Sequence, residues 1–304
     1  MSGASVARGT VIYASRRSCD VRSSGETLRV SQPPTTDAHG EHAQLVVGDD
    51  IDFDPIRRIV LARNPRRTSL ERVAPMGGRA RSAALKKKVI AANMDAVAIV
   101  TSAADPPFSP GAVDRFALAA LAGGMQVLLV VNKIDLVQGV LPDAARSFES
   151  LWPVTAISVH RAEGLTHLRE LLSGRRTVLA GHSGVGKSSL LNALEPSLDL
   201  PTREVRERTR TGRHVTTRAT WLHLDDRTVL VDTPGVREIA TGPVDRSLLR
   251  AVYPEIAEHA LACRFRDCTH THEPDCAVAA ACERGEVELA RLSSFRRLLV
   301  DVLG

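Results

Sequence analysis

The stretch GHSGVGKS at residues 181–188 decides the fold. Gly181 and Gly186 free the backbone, so that N–H groups along His182, Ser183, Gly184 and Val185 can converge on the oxygens of a polyphosphate. Lys187 brings charge to the β- and γ-phosphates, and the Ser188 hydroxyl, followed by Ser189, is placed to ligate Mg²⁺. Thr177-Val178-Leu179-Ala180 precedes the loop as a short apolar run suited to a buried strand, and Ser189 to Leu194 continues it with helical spacing. Strand, glycine loop and helix in that order put a helix N-terminus beneath the phosphates, where its positive field adds to binding.

Two further motifs surround this one. Downstream, the apolar run Thr228-Val229-Leu230-Val231 ends in Asp232-Thr233-Pro234-Gly235. An acid at the carboxyl end of a neighbouring strand can hold the Mg²⁺ shell, and Gly235 can bring a backbone N–H to the γ-phosphate. Upstream, Val127-Leu128-Leu129-Val130-Val131 ends in Asn132-Lys133-Ile134-Asp135. A carboxylate there accepts from both N1–H and the exocyclic amine of guanine, whereas adenine offers an acceptor and no amine on that edge. The base reader therefore favours GTP over ATP, and it comes before the phosphate loop in the chain. Ligands meet at the carboxyl ends of parallel strands, so strand order across the sheet matters and chain connectivity can be cut and rejoined elsewhere. The reversed order marks a circular permutation, with Asp232 to Gly235 leading almost directly into the C-terminal segment.

That segment carries its own signature. Four of the five cysteines lie between Cys263 and Cys282, and Cys263-x4-Cys268-x-His270-x5-Cys276 offers three thiolates and an imidazole, enough to close a tetrahedral, structural Zn²⁺ site. On spacing alone His272 serves as well as His270, and Cys282 is a spare, read as a small buried apolar residue. A nucleotide-using chain with no secretory signal points to a reducing cytosol, which disfavours the competing disulfide reading.

The chain resembles the circularly permuted GTPases of bacteria that depend on the small ribosomal subunit. The resemblance rests on GDDIDFD (48–54), AANMDAVAIV (91–100), NKID, GHSGVGKSSL, GRHVTT (212–217), DTPGVRE (232–238) and the cysteine cluster, and covers nearly the whole chain. It implies an oligonucleotide-binding (OB-like) barrel at the N-terminus, a permuted GTPase domain, a zinc-containing helical tail and a late role in 30S maturation. It implies His270 as the fourth zinc ligand, His214 as the residue that assists hydrolysis, and Thr216 or Thr217 as the switch threonine on Mg²⁺, with Thr216 taken as the ligand. Ser158 with Val159 stands where the family has the Ser-Ala pair that braces the guanine.

The resulting fold expectation is α/β: a circularly permuted P-loop GTPase domain at 86–240, built on a doubly wound, mostly parallel sheet, with an OB-like, RNA-binding β-barrel at 1–85 and a helical zinc-binding domain at 241–304. Alternating stretches at Gly9–Tyr13, Glu26–Val30, Gln44–Val47, Ile51–Phe53 and Arg58–Ala62 supply the barrel strands, with a loop from Gln32 to Gly40. Ala112–Leu121 and Leu165–Leu172 read as helices of the central domain, Arg246–Ile256 and Val278–Val302 as helices of the tail.

At 304 residues and net charge +5 the chain has room for two or three domains and no apolar stretch of membrane-spanning length. Its charge is uneven: residues 57–88 hold eleven Lys or Arg against one acid, Glu71. Such a stripe suits a polyanion, and Arg57, Arg58, Arg66, Arg67, Lys86, Lys87 and Lys88 are the candidate RNA contacts. With aromatics at 3%, phosphate contact with structured RNA is a better expectation than base stacking. Val236 follows Gly235 where many GTPases place a glutamine, and its side chain cannot orient water, so intrinsic turnover should be poor. The expected activity is GTP hydrolysis stimulated when the 30S subunit and its 16S rRNA order the arginine-rich residues 203–217, coupled to release. The alternative is a nucleotide-gated RNA-binding platform with negligible turnover. The expected protein is a cytoplasmic monomer that binds GTP or GDP with Mg²⁺ and one Zn²⁺, away from membranes.

Overall fold

The computed structural model describes residues 6–32, 44–74, 86–198, 200, 220–232 and 246–303. His214, Thr216, Thr217, Gly235, Val236, the arginines of 203–213 and most of the Gln32–Gly40 loop lie outside the described residues, as do the side chains of Lys86 and Lys87.

Five short strands, β1 (Ala7–Ala14), β2 (Ser18–Ser23), β3 (Glu26–Ser31), β4 (Asp50–Asp54) and β5 (Ile59–Arg63), close a barrel in the order β1-β2-β3-β5-β4. Closure is made by β1 against β4, antiparallel, and by a parallel contact of Ser31 with Ile59. Alternate residues fill it: Val11, Cys19, Val21, Val30, Ile51, Phe53 and Val60 form its core. Strand β2 goes beyond the sequence reading, because its polar SCDVRS sends only Cys19 and Val21 inward, too few for a visible period. Gln44–Val47, expected as a strand, contributes a single bridge from Val47 to Ala91. It is instead drawn into a buried turn in which the Val46 N–H donates to Asp49 Oδ2 at 2.8 Å.

An antiparallel hairpin, β6 (Ser69–Ala74) with β7 (Lys86–Ala92), leads into the central sheet, and its Leu70 and Ala91 join that sheet's core. The sheet runs β10 (Val154–Ala156), β9 (Gln126–Asn132), β8 (Ala96–Ser102), β11 (Arg176–Ala180), β13 (Val229–Asp232), β12 (Thr220–His223), parallel except for the antiparallel edge β12. Both faces are covered, which is why β8 and β9 read as unbroken apolar runs. Val97, Ile99 and Leu129 meet α1 (Pro110–Ala122) on one side. Ala98, Val100 and Leu128 meet α3 (Leu165–Leu172) and α4 (Lys187–Leu194) on the other, and the short α2 (Asp143–Arg146) lies between β9 and β10 in the chain.

The tail packs α5 (Arg246–Val252), α6 (Pro254–Ala260), α7 (Ala277–Glu283) and α8 (Leu289–Leu303) around Leu249, Tyr253, Ile256, Val278, Phe295 and Leu298. Each of the two helices expected here is broken in two. Pro254 lacks an N–H and starts α6 afresh at its first position. Gly285, at φ 77°, turns the chain after α7.

Candidate nucleotide and metal sites

The sheet delivers the three motifs to one edge. Strand β11 runs parallel between β8 and β13, pairing Leu179 with Ala98 and Asp232, so the phosphate loop leaves β11 beside Asp232. Strand β8 pairs Ser102 with Asn132 at the end of β9, bringing the guanine motif to the same edge.

Residues 181–186 curl over the start of α4, where Ser188 and Ser189 occupy the first turn. Gly181 has φ 144°, and a Cβ there would meet the Val100 carbonyl at 2.1 Å. Gly186 has φ 97°, and its Cβ would meet Asn132 Nδ2 at 2.4 Å. Both positions therefore exclude a side chain on conformation and on space. The Lys187 ammonium sits inside the loop, donating to the carbonyls of Gly181 at 2.6 Å and His182 at 2.7 Å. Burial, then the charges of Arg115 and Lys187, hold the His182 imidazole below its ordinary pKa, so it stands neutral beside that cation.

Asn132 ties the motifs together. Its Nδ2 donates to the Val185 carbonyl at 2.9 Å, while its Oδ1 accepts from the N–H groups of Lys133 at 2.8 Å and Val159 at 3.2 Å. One side chain thus joins the phosphate loop, the guanine motif and the loop after β10. Lys133 takes a left-handed conformation, φ 62°, that swings the chain into a 3₁₀ turn carrying Asp135, and its ammonium donates to the Asp105 carbonyl. Ser158 Oγ donates to Asp135 Oδ1 at 2.6 Å, and this bond first of all keeps the Asp135 carboxylate below its ordinary pKa. The sequence reading missed this brace for Asp135; the signal was the serine's place at the end of the next parallel strand.

The tail brings Cys263, Cys268, His270 and Cys276 together, all four ligand atoms within 4.8 Å of one another. Cys263 and Cys268 Sγ lie 4.0 and 3.8 Å from Cys276 Sγ, and His270 Nδ1 lies 3.6 and 3.4 Å from Cys263 and Cys276. A tetrahedron with metal–sulfur bonds of about 2.3 Å has edges of about 3.8 Å, so the donors already stand at coordinating separations. Burial pushes the Cys268 thiol up to about 12, while it lowers the pKa of His270 and leaves a neutral imidazole ready to ligate. Glu273 builds the loop by accepting from the N–H groups of Thr269 and Thr271, and Arg296 Nε donates to the His270 carbonyl at 2.6 Å. His272, the alternative on spacing, points instead toward Thr271, and Cys282 packs against the apolar core of the tail.

The basic stripe divides. Arg66 donates to both oxygens of Asp49, at 2.7 and 2.9 Å, and that carboxylate is fully buried. Arg57, Arg58 and Lys88 are exposed, and Arg67 is exposed with its guanidinium 3.5 Å from Asp95. Among the described residues no helix is long and apolar enough to cross a membrane.

Comparison with known proteins agrees with this architecture. A profile described as RsgA GTPase matches residues 64–242. A small ribosomal subunit biogenesis GTPase RsgA from Chlorobaculum parvum is 36% identical over 285 residues, covering 90% of this chain and 91% of that protein. The protein of the same name from Gemmatimonas aurantiaca is 37% identical over 283 residues, 88% and 87% of the two chains. Among solved structures, YjeQ from Thermotoga maritima superposes with a TM-score of 0.71 at 26% identity over 99% of both chains. YloQ, described as a circularly permuted GTPase, shares the fold with a TM-score of 0.67 at 23% identity, over 100% of this chain and 97% of the other.

Proposed function

The chain belongs to the RsgA GTPase family, and from that premise we propose that it hydrolyses GTP as an assembly factor of the small ribosomal subunit, binding 16S rRNA late in maturation and leaving on hydrolysis. The single observation that carries the reading is the Asn132–Val185 hydrogen bond, because it makes one pocket of a phosphate grip and a purine reader.

Within that pocket, backbone N–H groups of residues 181–186 hold the phosphates, with Lys187 on the β/γ oxygens and Asp135 on the guanine edge, braced by Ser158. Mg²⁺, which the family implies, would neutralise charge developing between the β- and γ-phosphates. Ser188 and Thr216 would ligate it, and Asp232 would hold its water shell. Gly235 would sense the γ-phosphate, and His214 would orient the attacking water once residues 203–217 are ordered. The Cys263, Cys268, His270 and Cys276 set takes Zn²⁺, since three thiolates and an imidazole close a tetrahedron with no open position for substrate. The domains divide at about residues 85 and 240. Arg57, Arg58, Arg67 and the Lys86–Lys88 run face rRNA, with Arg66 committed to Asp49. The protein works in the cytoplasm as a monomer.

The second reading, a GTP-gated platform that works by occupancy alone, is favoured by Val236. Turnover with purified 30S, 50S and 70S particles separates the two. Stimulation by 30S alone, lost in Lys187→Ala and His214→Ala, supports the enzyme, while equal rates with and without 30S refute it.

A further inference from the structure

Helix α1 faces two different neighbours. Successive helical residues point about 100° apart, so Asp114 and Phe116 look in nearly opposite directions, roughly 200° around the axis. Phe116 turns to the nucleotide side. Its ring, 4% exposed, meets the His182 imidazole of the phosphate loop edge-on, with centroids 5.5 Å apart at 63°. His182 in turn supplies a carbonyl that accepts from the Lys187 ammonium.

Asp114 turns to the tail. It is fully buried, unlike the exposed Arg115 beside it, and its carboxylate accepts from Arg291 Nη1 at 2.5 Å, Tyr253 OH at 2.9 Å and Ser294 Oγ at 2.7 Å. Arg291 also donates to Glu255 at 2.9 Å and to the Val252 carbonyl at 2.7 Å, with its guanidinium 4.4 Å above the Tyr253 ring. Leu118, one turn on from Asp114, belongs to the tail's apolar core. A buried carboxylate met by three donors is directional. It accepts one seating of α5, α6 and α8 against α1, where apolar contact alone would tolerate sliding.

We infer that Phe116 is a positioning residue for the phosphate loop, and that α1 makes nucleotide binding and the seating of the zinc-bearing tail one coupled equilibrium. This rests on the guanine-nucleotide reading above. Linkage makes the coupling reciprocal: whatever loosens the tail weakens nucleotide binding, and bound nucleotide tightens the tail by the same factor.

The test uses full-length, zinc-loaded protein titrated with a fluorescent GDP analogue. Tyr253→Phe and Ser294→Ala each remove one donor to Asp114. The expected result is a Kd raised about fivefold or more in each, a similar rise in Phe116→Leu, and no further rise when Tyr253→Phe is added to Phe116→Leu. His182→Ala, which deletes the other half of the ring contact, should reproduce Phe116→Leu should the latter fold poorly. Hydrogen exchange across 289–303 should slow on GDP binding in the wild type and not in Phe116→Leu. Wild-type affinity in Tyr253→Phe and Ser294→Ala, with only their melting temperatures lowered, overturns the coupling and leaves a structural interface. Full additivity in the double variant overturns it equally. Wild-type protein that binds no GDP overturns the nucleotide-site reading itself, and this inference with it.

Discussion

Replacing Gly186 by alanine tests the junction between phosphate loop and guanine motif. The residue's φ of 97° costs an L-residue roughly 1 kcal/mol. The new Cβ would stand 2.4 Å from Asn132 Nδ2, a contact that no rotation of the methyl relieves. Asn132 must move, and its bond to the Val185 carbonyl is lost from a buried position, which costs about 1–3 kcal/mol. A free loop relaxes to escape both costs, so they fall on nucleotide binding, which needs the gripping shape. At 1.4 kcal/mol per tenfold, about 2–4 kcal/mol raises the GDP Kd roughly thirty- to several-hundred-fold. Gly174→Ala is the control: Gly174 has φ 69° with nothing within 4 Å of its Cβ position, so it should lower the melting temperature without changing affinity. Equilibrium titration with labelled GDP reads both. Wild-type affinity in Gly186→Ala would refute the geometry.

Arg66→Ala should destabilise the protein by about 3–5 kcal/mol, because it strands the fully buried Asp49, whereas Arg58→Ala should change stability by less than about 0.5 kcal/mol. Urea unfolding measures both, and equal effects would contradict the ion pair. Ser158→Ala removes the main cause of Asp135's lowered pKa. Only the charged carboxylate reads guanine, and a lowered pKa keeps that charge as pH falls, so the variant should lose GDP affinity at a higher pH than wild type. Superimposable pH profiles would deny the role of that bond. Stripping metal from the proposed zinc site with a chelator should raise hydrogen exchange across 246–303 ahead of the barrel, since two of the four donors, Cys263 and Cys268, pack with Cys276 against the core of this small helical unit. Unchanged protection in that segment would mean that the metal does not hold the tail.

What could be read from the sequence was whatever a local pattern encodes. The glycine loop fixes its own backbone, so 181–188 is legible from residue type alone, and β9 and β11 read as apolar runs because both faces of the sheet are covered. The Cys263–Cys276 spacing likewise carried its chemistry, although spacing alone did not separate His270 from His272; the family resemblance favoured His270, and the fold brings it to the three cysteines. Pairings between distant residues were not legible. Asp114 to Arg291 spans 177 positions, and nothing in AVDRFALAALA names its partner, since Asp114 stands beside Arg115 and the pair reads as an ordinary polar face. Arg66 was read as one more charge in a basic stripe because its partner Asp49 lies outside that stripe, at the end of a buried turn whose first part, Gln44–Val47, reads as a strand. Strand β2 escaped for a related reason: a barrel wall closed by neighbours tolerates polar residues at every outward position.

The most direct measurement of the central claim, that a purine reader and a phosphate grip far apart in the chain share one ligand, is the base preference of Asp135→Asn. An amide cannot accept both guanine donors, but it offers one to the C2 carbonyl of xanthine. The Kd for GDP should rise by about tenfold or more while that for xanthosine diphosphate falls. Undiminished preference for GDP in that variant would contradict the account.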